Sequence, residues 1–162
     1  MPYPISILKQ KKAVFSYFAN LNWRNMTAIT LTYKKGQFID GHFMAPDTYA
    51  LSKNMRYFLN FLRKKAKIRE SHHFAVVPVF ETFADGTFHS HLAITKPNWL
   101  SDAVFETIIR DAWSRTRWGA KQIDVRPNAD LGWLDYILKL RTKKDFADSI
   151  DWDNVRIGID RS

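Results

Sequence analysis

The chain has 162 residues, one domain's length with room for a real core, and its 46% apolar and 25% charged residues are the balance of a folded protein. It has no cysteine, which excludes a disulfide framework, a thiol nucleophile and a thiolate zinc site, and no apolar run reaches the roughly 18 residues of a membrane span. Twenty-five Lys and Arg against sixteen Asp and Glu give a net charge of +9, a basic balance that suits a polyanionic partner.

The opening residues show no secretory-signal pattern; a basic, aromatic stretch around Lys9 to Leu21 predicts a short amphipathic helix. Met26 to Lys34 (MTAITLTYK) is β-branched and alternating, the pattern of a strand. Lys35-Gly36 opens a loop or hairpin extending over Gln37 to Met44. Pro46-Asp47 starts a helix whose apolar stripe is Leu51, Met55, Phe58 and Leu62. Phe74 to Phe83 and Thr87 to Thr95 are strands joined by Ala84-Asp85-Gly86, with Pro78 marking an edge or a bulge.

Asn98 is placed to cap a second helix, with Ser101 and Asp102 in its first turn and Gly119 ending it. Its core face is Phe105, Ile108, Ile109, Ala112 and Trp113. Lys121 to Arg126 is a short strand stopped by Pro127, and a third helix runs from about Ala129 to Thr142. The last stretch, residues 145–162, holds five Asp and two Arg, leaving a net of +12 on the first 144 residues. Its Phe146, Ile150, Trp152, Val155 and Ile157 give it apolar surface to pack with. The order predicts an α+β fold: a central antiparallel sheet with helices packed mainly on one face.

Two histidines in Phe88-His89-Ser90-His91-Leu92 stand at i and i+2 on a strand, so their rings share a face. If Ala84-Asp85-Gly86 is a three-residue loop with Gly86 left-handed, Glu81 falls opposite His89 and Val79 opposite His91. Glu81 then joins both histidines in a His-His-carboxylate set of nitrogen and oxygen donors. A two-residue Asp-Gly turn would put Glu81 among Phe88, Leu92 and Ile94, where an ionised carboxylate is costly to bury. His-x-His on a strand is also compatible with an exposed or hydrogen-bonded pair. His42, His72 and His73 have no evident partner and read as surface residues.

In the last helix Leu131, Leu134, Ile137 and Leu138 cluster on one side. Tyr136 points away from them, with Lys139 and Lys143 on its own face, an arrangement suited to meeting a phosphate and equally to a helix-surface tyrosine.

In order, MTAITLTYK, FHSHLAI and YILK resemble the three-motif layout of the HUH-superfamily rolling-circle replication initiators, the Rep endonucleases, over about residues 26–142. Ser90 departs from the usual hydrophobic residue between the histidines. The tyrosine follows the histidines, unlike in relaxases, and Leu140 stands where a second tyrosine would fall, so the single-tyrosine type is implied. The resemblance implies a ferredoxin- or RRM-like HUH domain spanning 1–162, with 143–162 as an acidic extension. It implies Mn²⁺ or Mg²⁺ held by His89, His91 and Glu81. It further implies Tyr136 as the nucleophile on single-stranded DNA, giving a 5′-phosphotyrosine adduct and a free 3′-hydroxyl, with Lys139 neutralising phosphate charge.

Thr30 and Thr32 would support that site; Lys34, Lys35, Arg115, Arg117, Lys121 and Lys143 would hold DNA phosphates. An origin stem-loop is the expected substrate, inside the cell and away from membranes. No glycine-rich phosphate loop with Lys-Ser/Thr appears, so a helicase is expected to be a separate protein or a part lying outside this sequence, and the polymerase a separate protein. Two alternatives stay open: an HUH-type single-strand transposase, and a non-catalytic RRM-like module that stacks bases on sheet aromatics.

Overall fold

The computed structural model describes residues 3–140, 143 and 145–158. The fold is α+β, built on a five-stranded antiparallel sheet. Its strands are β1 (Met26–Tyr33), β4 (Ala75–Thr82), β5 (Phe88–Thr95), β6 (Gly119–Arg126) and β7 (Arg156–Ile157), in the order β6-β1-β5-β4-β7. A separate hairpin pairs β2 (Gln37–Ile39) with β3 (His42–Met44).

Period-two alternation divides the central strands between two cores. Ile29, Leu31, Tyr33, Val76, Phe80, Leu92 and Ile94 face the long helices α2 (Thr48–Ala66) and α3 (Asp102–Ser114). The stripe Leu51, Met55, Phe58 and Leu62 packs there against Phe105, Ile108, Ile109, Ala112 and Trp113, as the spacing requires. The other sheet face is also covered along part of its length. Ala28, Ala75, Val77, Val79 and Ala93 meet Phe18 from α1 (Ile5–Ala19), Leu134, Ile137 and Leu138 from the end of the chain's fourth helix, and Phe146 and Ile150 from the acidic segment. That fourth helix is α4 (Leu131–Ile137), and α5 (Phe146–Ser149) follows. A single-face apolar stripe is too weak in α1 to announce this second layer from sequence; only Phe18 of that helix is buried.

Capping differs from the sequence expectation at three places. Ser101, not Asn98, caps α3, its hydroxyl accepting from the Val104 N–H at 3.1 Å. The helix ends at Ser114, and Gly119 opens β6 instead, where it lies so close to Trp113 that a Cβ would fall 2.6 Å from that residue's carbonyl oxygen. Asp130 caps α4, accepting from Trp133 N–H at 3.2 Å, and the helix stops after seven residues rather than running on to Thr142, which lies outside the described residues. Pro78 is on the outer side of β4: its carbonyl accepts from the Asp151 N–H at 3.0 Å, beyond the short pairing with β7. The residues after α5 are stitched in as well, with Asp151 accepting from the Ser52 hydroxyl at 2.7 Å and from Asn154 at 2.7 Å.

No described helix is long and apolar enough to cross a membrane.

Candidate active site

The β4–β5 turn fixes everything that follows. Gly86 adopts φ +85° and its N–H donates to the Phe83 carbonyl at 3.0 Å, closing a three-residue loop over Ala84-Asp85-Gly86. Asp85 clamps it by accepting from Thr87 N–H and hydroxyl at 2.9 and 2.6 Å. The resulting register pairs Glu81 with His89 and Val79 with His91. On the far side of β5, Thr30 pairs with His91 and Thr32 with His89. Thr30, Thr32, Glu81, His89 and His91 therefore share the face opposite α2 and α3.

His91 is the hub. Its Nε2 lies 2.9 Å from Glu81 Oε2, its Nδ1 3.0 Å from Thr30 Oγ1, and both His91 and Glu81 are buried. Lys139 donates to the same Glu81 oxygen at 2.7 Å. Burial pushes the His91 imidazole down to about 4, against the pull of Glu81, so the ring is neutral at neutral pH. Burial alone would raise the Glu81 carboxyl. The Lys139 hydrogen bond and the positive charges around it outweigh that and hold it below the usual range. His89 is lowered too, by burial, with Glu81 and Asp85 opposing. Its ring turns onto Phe83, centroids 4.2 Å apart. Among the described residues, no three His, Asp or Glu side chains converge as a ready ligand set.

Tyr136 reaches this hub from α4. Its ring is 5.7 Å from the His91 ring, edge to face, and the Lys139 ammonium lies 3.9 Å from its centroid. Leu134, Ile137 and Leu138 are buried as their spacing predicts, whereas Leu131 is exposed and Tyr136 keeps 47% of its surface. Because α4 ends at Ile137, Lys139 reaches Glu81 from the turn after the helix and not from its face. Lys143 is half-buried, and its ammonium is pushed down to about 8 by burial and by Lys139.

One member of the cluster has no counterpart among the residues singled out from sequence. Trp133 stacks on Tyr136 at 5.4 Å, meets His91 edge-on at 5.7 Å and donates its indole N–H to the Leu92 carbonyl at 2.9 Å. Its spacing of i and i+3 from Tyr136 is the signal that places them on one helix face.

The candidate DNA-contact residues divide between two places. Lys121 lines a groove of about 430 Å³ with Thr30, Thr32, His89 and Arg110, beside the hub. Arg115 and Arg117 stand on the α2–α3 side, around a different cavity. Lys34 donates to the Arg117 carbonyl at 3.2 Å, and Lys35 is exposed near Asp85. His72 and His73 are half-buried rather than surface residues: His72 packs on Trp99 at 4.7 Å and accepts from Arg69 N–H, and His73 lies against Gly158. Ser90 faces the α2–α3 core, where it bonds the buried Tyr33 hydroxyl at 2.7 Å. Burial drives that phenol well above its ordinary range.

No family model matches the chain, and no curated protein matches it. Among solved structures it is similar to the N-terminal nuclease domain of the minute virus of mice non-structural protein 1, with a TM-score of 0.42 and 10% identity. The match covers 88% of this chain and spans about 65% of that one. That nuclease domain is described as having a unique Zn²⁺ coordination in its active-site pocket and a novel mode of DNA recognition at the origin of replication.

Proposed function

We propose that the chain is an HUH-type endonuclease that nicks and rejoins single-stranded DNA through Tyr136 and so starts rolling-circle replication. The observation that carries this reading is the meeting of Tyr136, Lys139, Glu81 and His91, from two separate sequence motifs and a third strand, at one spot on the sheet.

By donor type the residues suit a divalent cation, although among the described residues they do not converge as a ready ligand set. Two imidazoles and a carboxylate on one face are nitrogen and oxygen ligands, His91 is neutral, and the Lys139 ammonium already stands as a positive charge at Glu81 Oε2. His89, His91 and Glu81 would hold Mn²⁺ or Mg²⁺, with Thr30 accepting from His91 Nδ1–H to orient the ring once Nε2 is a ligand. Such an ion polarises a bound phosphate and stabilises its developing charge.

The protein's own groups do the rest. Trp133 and the sheet hold the Tyr136 ring in place. The phenolic oxygen attacks phosphorus in line as its proton passes to water at the exposed ring edge. The bond from phosphorus to the 3′-oxygen breaks, and that oxygen leaves with the bonding pair and takes a proton from water to become the free 3′-hydroxyl. Lys139, poised over the ring, neutralises charge on the phosphoryl oxygens. The 5′-phosphotyrosine keeps the energy of the cleaved ester, so the same groups rejoin strands. The substrate is an origin stem-loop presented as a single strand.

The test is a denaturing gel after incubation with Mn²⁺ and a labelled library of single-stranded stem-loops. A labelled band at protein-plus-DNA mass is expected, absent with EDTA and reduced at least about 1,000-fold in Tyr136→Phe. DNA binding without any adduct would overturn the nicking reading in favour of a binding module. Strand joining between two unlinked DNA ends without preference for an origin hairpin would point to a transposase.

A further inference from the structure

The cavity on the opposite side of the sheet has a chemistry of its own. It measures about 510 Å³, within the about 300–1,000 Å³ typical of small-ligand sites, and sits between α2 and the connection from α3 to β6. Tyr49, Lys53 and Tyr57 follow one another at four-residue spacing along α2, and Arg115 and Arg117 face them from the connection. No carboxylate lines it among the described residues. Tyr49 and Tyr57 are 69% and 56% exposed, far more than tyrosines engaged in a core.

Two of the cations are already spoken for in part. The Lys53 ammonium lies 5.0 Å from the Tyr49 ring centroid; Arg115 pairs with Asp111 at 3.3 Å and lies over Phe61. Arg117 forms no ion pair among the described residues. Its carbonyl, by contrast, accepts from both Lys34 and Gln37, which pins the connection while leaving the guanidinium out.

Asn54 fixes the wall of this cavity: it is 6% exposed and its Oδ1 accepts from the Trp118 N–H at 3.0 Å.

Aromatic faces and unpaired cationic charge are together the complement of one ligand class: a planar heterocycle joined to a phosphate. We propose that this cavity is a nucleotide-binding pocket, in which the base stacks on Tyr57 or Tyr49 while Arg117 and Lys53 hold the phosphate. The nucleotide is either one unit of a nucleic-acid strand or a free molecule; the two share this chemistry. The pocket does not depend on the reaction at Tyr136.

Calorimetric titration of the full chain in EDTA tests it. The probes are the four deoxynucleoside 5′-monophosphates, inorganic phosphate and an oligothymidylate of about eight nucleotides. A monophosphate should bind at least about tenfold more tightly than inorganic phosphate. Tyr57→Ala and Arg117→Ala, both surface changes, should each weaken it by roughly five- to tenfold, and Tyr136→Phe should leave it unchanged.

If the oligonucleotide loses affinity with the same variants, the pocket serves a strand. If only the monophosphate responds, the ligand is a free nucleotide. Equal binding of phosphate and nucleotide, or indifference to Tyr57 and Arg117, would reduce the cavity to a cationic surface and overturn the proposal. A missing adduct at Tyr136 would leave these titrations unaffected, so the two readings fail separately.

Discussion

At the scale of single residues, Lys139 has two conflicting attachments. Its ammonium bonds the Glu81 carboxylate that a metal would need and also covers the Tyr136 ring. Lys139→Met should therefore raise Mn²⁺ affinity several-fold, read by electron paramagnetic resonance, while lowering adduct formation by roughly 100-fold. A loss of both would mean that Lys139 holds the site together instead of competing for it. His91 makes a prediction about acid. Its folded-state value of about 4 lies below the unfolded value of about 6.5, so the unfolded chain binds the extra proton in between. Stability of the metal-free protein is then fully present above about pH 6.5 and falls as pH drops towards 4, by on the order of 3 kcal/mol from this residue. Melting temperatures across that range should show the slope, and His91→Gln should flatten it. The side chains whose placement followed the sequence reading, His91, Glu81 and Tyr136, obey simple periodicity. Trp133 escaped because an indole on a helix reads as core until the partner strand is known. Ser90 shows the converse: an oddity between the two histidines has its explanation in Tyr33, 57 positions away.

At the scale of elements, the site depends on the register that one three-residue turn sets. Deleting Phe83 keeps the three turn residues but draws β4 along β5 by one, pairing Glu81 with Phe88 and turning it towards the Leu92 side. Loss of the adduct together with a lower melting temperature is expected, whereas Gly86→Ala, which strains φ +85° without changing the register, should cost about 1 kcal/mol and keep the adduct. If the deletion variant still forms adduct, the register is not what positions the carboxylate. The strands and the two amphipathic helices were legible because alternation and 3.6-residue spacing report directly on burial. The ends of elements were not. Ser101 and Asn98 are both good caps by type, and only the geometry of the following turn chooses Ser101. Gly119 resembles a helix stop, but its smallness serves close packing against Trp113.

At the scale of the whole molecule, the basic balance of +9 should make single-stranded DNA binding strongly salt-dependent, with affinity falling roughly tenfold or more between about 50 and 200 mM salt. A flat salt response would remove the phosphate backbone as the main contact. The acidic segment from Asp145 to Gly158 is part of the fold: Phe146 and Ile150 complete the second core, and Asp151 is tied to Ser52. The second layer formed by α1, α4 and α5 also has a mechanical meaning. A seven-residue helix is too short to hold its shape alone. Here α4 is wedged between the sheet and α1, hooked to β5 through the Trp133 indole and to α1 through Lys11 and Asp135 at 3.4 Å. Traction on a strand joined to Tyr136 would thus be passed into the body of the molecule through two neighbours and not through the helix's own few backbone bonds. In the proposed reaction, an anchor of that kind would keep Tyr136 in line with the bond to be remade while a polymerase pulled on the attached end.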